Sequence, residues 1–159
     1  MNVVMRWFDP VKEAQALPWD LLLDADPNRE LVTNYLKESF LLVAFDPEKP
    51  LDLLGVLVYQ ERLAEWEILN VAVAPAVQNQ GIGKKLLQAC LKDITSRKKA
   101  KPILIKTGDL TSPALTLYQN VGFKQIALVK DYFVENYSEP IFEAGEQLRN
   151  QVILAYSPE

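Results

Sequence analysis

The sequence contains no histidine and a single cysteine. Without histidine, mechanisms in which an imidazole activates a serine or cysteine nucleophile are excluded. The usual zinc ligands are missing too, so no metal is expected. Cys90 has no partner for an intramolecular disulfide, which fits a reducing compartment. Its place in the stripe Leu86, Leu87, Cys90, Leu91 and Ile94 favours packing over reactivity. No apolar run approaches the roughly 18 residues of a membrane helix. The start, Met1-Asn2-Val3-Val4-Met5-Arg6, lacks the apolar core and small-residue cleavage site of a signal peptide. A cytoplasmic protein without a membrane partner is the expectation.

What is present is a globular composition. The chain has 159 residues, 49% hydrophobic and 24% charged, enough for one domain and too few for two comfortable ones. With no repeat, low-complexity tract or linker, a single domain over 1–159 is expected. The net charge of −4 argues against nucleic acid as the main partner. That charge is uneven. Between Asp131 and Leu148 lie Asp131, Glu135, Glu139, Glu143 and Glu146 with no lysine or arginine, so this segment is −5 and the rest is +1.

The first third reads as helical: a short turn over Pro18–Asp24, then a helix capped by Asp26-Pro27 with Leu31, Val32, Tyr35 and Leu36 on one face. Three strand-like runs follow, Phe40–Phe45, Leu53–Tyr59 and Glu67–Val73, joined closely enough for an antiparallel meander. The remainder alternates. A helix over 81–97 precedes a strand at Pro102–Lys106. Ser112-Pro113 then caps a helix with Ala114, Leu117, Tyr118 and Val121 on its apolar face, stopped at Gly122. Strands at Phe123–Val129 and Gln151–Tyr156 flank the acidic segment. A meander followed by strand–helix–strand–helix–strand implies an α/β fold, a mixed and largely antiparallel sheet flanked by helices.

Between the strand ending at Val73 and the helix beginning near Lys84 lies Gln78-Asn79-Gln80-Gly81-Ile82-Gly83. Its glycines let backbone N–H groups approach a ligand, and the first turn of a helix favours an anion. Lys84 and Lys85 add positive charge. A dinucleotide fingerprint needs glycine at position 86, which is Leu86, and the spacing of a P-loop is absent. Physics alone gives a phosphate site of unspecified kind, and a glycine-softened helix start without a ligand would read the same.

Val73-x-Pro75-x-x-Gln78-x-x-Gly81-x-Gly83 resembles the signature of the GNAT acetyltransferase superfamily, and Ala114-Leu115-x-Leu117-Tyr118-x-x-x-Gly122-Phe123 is similar to its second conserved segment. The likeness covers about residues 30 to 156. It implies the GNAT fold and acetyl-CoA as cosubstrate. The pyrophosphate would be held by Gln78, Asn79, Gln80, Gly81, Ile82, Gly83 and Lys84, and the pantetheine arm by the backbone of Val71, Ala72 and Val73. The tail Asp131-Tyr132-Phe133 to Arg149 is closer to small bacterial members without a settled acceptor. The family is often dimeric, which leaves a homodimer open.

The resemblance also assigns chemistry. Tyr118 matches the tyrosine that protonates the CoA thiolate, although its helical face would equally make it core. Glu67 stands where several members carry a general base, although it would equally be an exposed strand-end carboxylate. In the ribosomal-protein alanine acetyltransferases a glutamate lies twelve residues before the tyrosine and an asparagine often seven before it; here these are Lys106 and Thr111. Thr111 or Ser112 would then offer a hydroxyl to the cofactor. Asn70, Tyr132, Tyr137, Glu139 and Glu143 are candidates for binding a small-molecule or peptide amine, the last four within the acidic segment that would attract a cation. The implied activity is acetyl transfer to a primary amine by direct attack. A non-catalytic CoA-binding regulatory module is the alternative, supported by the lysine at position 106.

Overall fold

The computed structural model describes residues 2–157. The expected domain limits Met1, Pro158 and Glu159 lie outside them. The chain divides into two compact units, Met1–Lys99 and Ala100–Glu159.

The first unit is built on the antiparallel strands β1 (Val4–Phe8), β2 (Phe40–Phe45), β3 (Leu53–Glu61) and β4 (Trp66–Val73), adjacent in that order. Helices α1 (Trp19–Ala25) and α2 (Arg29–Leu36) precede β2, and α3 (Ile82–Ser96) follows β4. Strand alternation separates two faces. Leu41, Val43, Val56, Val58 and Ala72 share a cluster with Phe8 and with Leu21, Leu22, Val32 and Leu36 of α1 and α2. On the opposite face lies Gly55, where a Cβ would stand 3.0 Å from Leu86 Cδ1 and 3.2 Å from Ile82 Cγ2 of α3. The stripe expected on α3 is buried throughout, Cys90 included.

One irregularity interrupts β4. Val58 pairs with Asn70 but Tyr59 pairs with Ile68, so Leu69 is an extra residue in the ladder. Beyond the bulge the faces exchange, and Glu67 comes to lie on the same side as Asn70 and Ala72.

The second unit contains β5 (Ile103–Gly108), α4 (Pro113–Val121), β6 (Lys124–Val129), α5 (Tyr132–Asn136), the hairpin β7–β8 (Ile141–Glu143 and Glu146–Leu148) and β9 (Gln151–Tyr156). Strand β9 lies between β5 and β6 and pairs with both in antiparallel register. Tyr118 and Tyr156 pack on Phe123, with ring centroids 6.4 and 5.4 Å away.

Several expectations are corrected. The N-terminal segment contributes β1, which the helical reading of the first third missed. The cap of α2 is Asn28, whose Oδ1 accepts from the Leu31 N–H at 3.1 Å. Asp26 instead accepts from the Asn28 N–H at 3.1 Å and closes the turn after α1, so Pro27 precedes the cap. On α4 only Tyr118 of the expected apolar face is buried. The acidic segment, for which no element was expected, carries α5 and the hairpin. No helix among the described residues is long and apolar enough to cross a membrane.

Gly55→Val adds atoms where Leu86, Ile82 and the Ala72 carbonyl leave no room. The expected result is a loss of about 1–3 kcal/mol of stability in urea denaturation.

Candidate active site

Strand β4 ends at Val73, and a 3-10 turn over Pro75–Val77 carries the chain away from the sheet. The Gln78 side chain folds back, its Nε2 donating to the Val73 carbonyl at 3.1 Å. Asn79 (φ 64°) and Gly81 (φ 82°) both take left-handed conformations. Gly81 is the N-cap of α3 and no side chain caps the helix; the first closing bond runs from the Lys85 N–H to the Gly81 carbonyl at 3.1 Å. The N–H groups of Ile82, Gly83 and Lys84 precede that ring and have no acceptor within the helix. Alternating left-handed residues beside such donors form an anion-binding concavity. A Cβ on Gly81 would meet nothing within 4 Å, so glycine serves there for its dihedral angle and not for space.

Gln78, Asn79, Gln80, Gly81, Lys84 and Lys85 are exposed. Ile82 is 2% exposed and packs into the core, so it could serve a ligand only through its backbone. Val71 and Val73 are half-buried, whereas the Ala72 side chain belongs to the cluster under α1 and α2.

That cluster is interrupted by a polar strip. Gln60, Glu67 and Asn70 are all buried on the α1–α2 face. The Gln60 Nε2 donates to Ser39 Oγ at 3.3 Å. The Arg62 Nε lies 3.1 Å from Glu67 Oε1, so this carboxylate is buried and ion-paired, not an exposed strand end. Asn70 Nδ2 donates to the Leu22 carbonyl and to the Tyr35 hydroxyl, each at 2.9 Å. Sequence reading missed Gln60 and Tyr35 as parts of this strip. Their signals were a polar residue in phase with Val56 and Val58, and a tyrosine three residues after Val32.

In the second unit Tyr118 is 6% exposed, and burial pushes its hydroxyl up to about 12. Ser112 Oγ accepts from the Leu115 N–H at 3.1 Å and caps α4, so its first duty is structural; Thr111 is exposed. Tyr132 and Tyr137 flank Phe133, at 5.1 and 5.8 Å between centroids, while Glu139 and Glu143 face solvent. The segment is tied down at its base: the Asp131 N–H donates to Asn150 Oδ1 and the Phe133 N–H to the Arg149 carbonyl, both at 2.9 Å.

A family model described as an acetyltransferase (GNAT) domain matches residues 37–125. An uncharacterized N-acetyltransferase of Bacillus subtilis, YvbK, is 39% identical over 139 residues, 86% of each chain. An IAA acetyltransferase from Bacillus cereus superposes with a TM-score of 0.87 at 32% identity, covering 98% of this chain and 99% of the other. A GNAT family acetyltransferase from Elizabethkingia anophelis, solved with acetyl-CoA bound, also gives 0.87 at 32% identity, covering 98% of both chains. The fold is thus the mixed, mostly antiparallel one expected. By matched domain, sequence identity and fold, the chain belongs to the GNAT superfamily of N-acetyltransferases.

Proposed function

We propose that the protein transfers the acetyl group of acetyl-CoA to a primary amine by direct attack, as one acetyltransferase domain spanning 1–159 in the cytoplasm. The observation that carries this reading is the uncapped start of α3, where left-handed Asn79 and Gly81 precede three N–H groups without intrahelical acceptors. A pyrophosphate supplies the oxygens these donors require. Gln78 to Gly83 hold it through the backbone, Lys84 adds charge, and the half-buried stretch Val71–Val73 offers strand groups to the pantetheine. The acetyl-CoA held by a similar protein supports the choice of ligand.

The amine nitrogen attacks the thioester carbonyl, the C–N bond forms, and the C–S bond breaks. Tyr118, whose hydroxyl is protonated at neutral pH, donates its proton to the departing thiolate. The proton lost by the amine passes to Glu67 through water or to solvent. Thr111 offers a hydroxyl to the cofactor. Asn70, Tyr132, Tyr137, Glu139 and Glu143 contact the acceptor, and the exposed carboxylates favour a cationic one.

A thiol-release assay with acetyl-CoA and a panel of spermidine, kanamycin, free lysine and an alanine-initiated peptide tests the reading. Amine-dependent release is expected; CoA binding without release for a broad panel would favour the non-catalytic module. Tyr118→Phe should lower kcat by about a hundredfold while leaving CoA affinity intact. Full turnover in that variant would remove Tyr118 from the mechanism.

Tyr118 also carries a pH signature. Its folded value lies above the ordinary 10.0 because of burial. Its contribution to stability is therefore complete below pH 10 and lost as pH rises through about 12. Denaturation across that window should weaken the parent more steeply than Tyr118→Phe.

The double change Glu139→Gln and Glu143→Gln should raise KM for a cationic acceptor by about two- to fivefold, as for exposed charge pairs. The effect should shrink with added salt, and KM for acetyl-CoA should not move.

A further inference from the structure

The strands of the second unit bring two loops to one edge. Gly108, the last residue of β5, and Val129, the last of β6, both pair with Gln151, the first residue of β9. The chain therefore leaves β5 and β6 on either side of the entry to the middle strand. The loop after β5 leads to Thr111 and Ser112, and the turn after β6 opens the acidic segment. Asn150, the residue before β9, stands between them.

The Asn150 carboxamide is used at both ends. The Asp131 main-chain N–H can only donate, so the group 2.9 Å from it is the carbonyl end, Oδ1. The amino end donates to Asp109 Oδ2 at 3.0 Å, and the Asn150 main-chain carbonyl accepts from the Asp109 N–H at 3.2 Å. One half-buried side chain thus ties one outgoing loop to the other. It meets the second at Asp131, which holds a left-handed φ of 55°, uncommon for a residue with a Cβ, and whose own side chain does not cap α5. The far end of the segment is held by packing instead. A Cβ on Gly108 would collide with Leu148 Cδ1 of β8, a buried side chain, so glycine admits the hairpin to the end of β5. That contact and the main-chain bond from Phe133 to Arg149 survive a substitution at position 150. Such a variant loosens the start of the segment without unfolding it.

We propose that Asn150 is a positioning residue for the acetyl acceptor, its carboxamide setting the segment of Tyr132, Tyr137, Glu139 and Glu143 against the loop that carries Thr111. The inference rests on the acetyltransferase reading, with the acidic segment as its acceptor side, and adds Asn150 and Asp109 to it. Side chains that bind a substrate keep their geometry through supporting bonds of this kind.

The test uses spermidine as the probe and thiol release from acetyl-CoA as the readout. Asn150→Leu removes both side-chain bonds at similar volume. It should raise KM for spermidine by roughly three- to tenfold, the range of one ordinary hydrogen bond, with KM for acetyl-CoA unchanged. Asn150→Asp should be worse, because it sets two carboxylates against each other. Exchanging the pair, Asp109→Asn with Asn150→Asp, again faces a donor with an acceptor and should return KM to the parent value. A merely structural loss would reduce the active fraction, lowering kcat with both KM values in place, and that result would overturn the proposal. So would an unchanged KM in Asn150→Leu, or an exchanged pair no better than Asn150→Asp alone. Failure of the underlying reading is distinct and shows in the parent. Absence of saturable, spermidine-dependent release there would remove the acidic segment as the acceptor side, and this inference with it.

Discussion

The approach of α3 to the sheet is limited by a missing side chain at Gly55. Leu86 and Ile82 occupy the space that a Cβ there would enter, and the Ala72 carbonyl bounds it at 3.2 Å. Ile82 is at once a core residue and the first residue of α3. The packing that seals this face therefore also fixes where the helix begins. The turn before it is exposed, yet the helix it leads into is anchored in the core. Donors held in advance in this way spend little conformational freedom on meeting a ligand. Gln78 completes the arrangement from the other side through its bond to Val73. The proposed phosphate binding would depend less on the lysines than on a backbone whose course is set by a hydrophobic contact.

Strand β4 is the partition of the first unit. Without the Leu69 bulge, strict alternation would put Glu67 on the α3 face and Trp66 on the other. With it, Trp66 turns toward the α3 side, where it joins Tyr59, Phe40 and the Arg97 guanidinium. Glu67 instead joins Gln60 and Asn70 beneath α1 and α2. One extra residue thereby gathers three polar side chains on a face otherwise filled by Leu, Val and Ala. The partners of Gln60 and Asn70, namely Ser39, Tyr35 and the Leu22 carbonyl, come from the helical segment before β2 or from its end. The helices that cover the core also hold the polar strip in register.

Much of this architecture is legible in the chain's local patterns. The glycine turn, the α3 stripe, the Ser112 cap and the strands Phe40–Phe45 and Gln151–Tyr156 follow from rules of periodicity and capping, and they stand where those rules put them. What escapes such rules depends on pairing partners or on uncommon backbone. Strand β1 is an edge strand with little burial, so its pattern is weak. The β7–β8 hairpin turns through Ala144 and Gly145, both at positive φ, where Asn-Gly would have announced it. The α2 cap lies two residues beyond its expected place because Asp26-Pro27 satisfies the same rule as Asn28. The bulge at Leu69 has no sequence mark, and with it the sidedness of Glu67 stays hidden.

The two halves of the proposed proton traffic are built differently. Burial alone raises the Tyr118 hydroxyl, so its protonated form is secured by packing, at the cost of acidity, and asks nothing of a charged neighbour. Glu67 is likewise buried, but Arg62 engages its Oε1, so its orientation depends on a half-exposed guanidinium on the hairpin turn. Position 106 carries a lysine and so supplies no carboxylate. An acid secured by the core and a carboxylate tied to a surface arginine suit a reaction in which protonation of the leaving thiolate is prepared by the fold. The amine can then lose its proton on the way in. On that reading the acceptor side has correspondingly less need of a strong base.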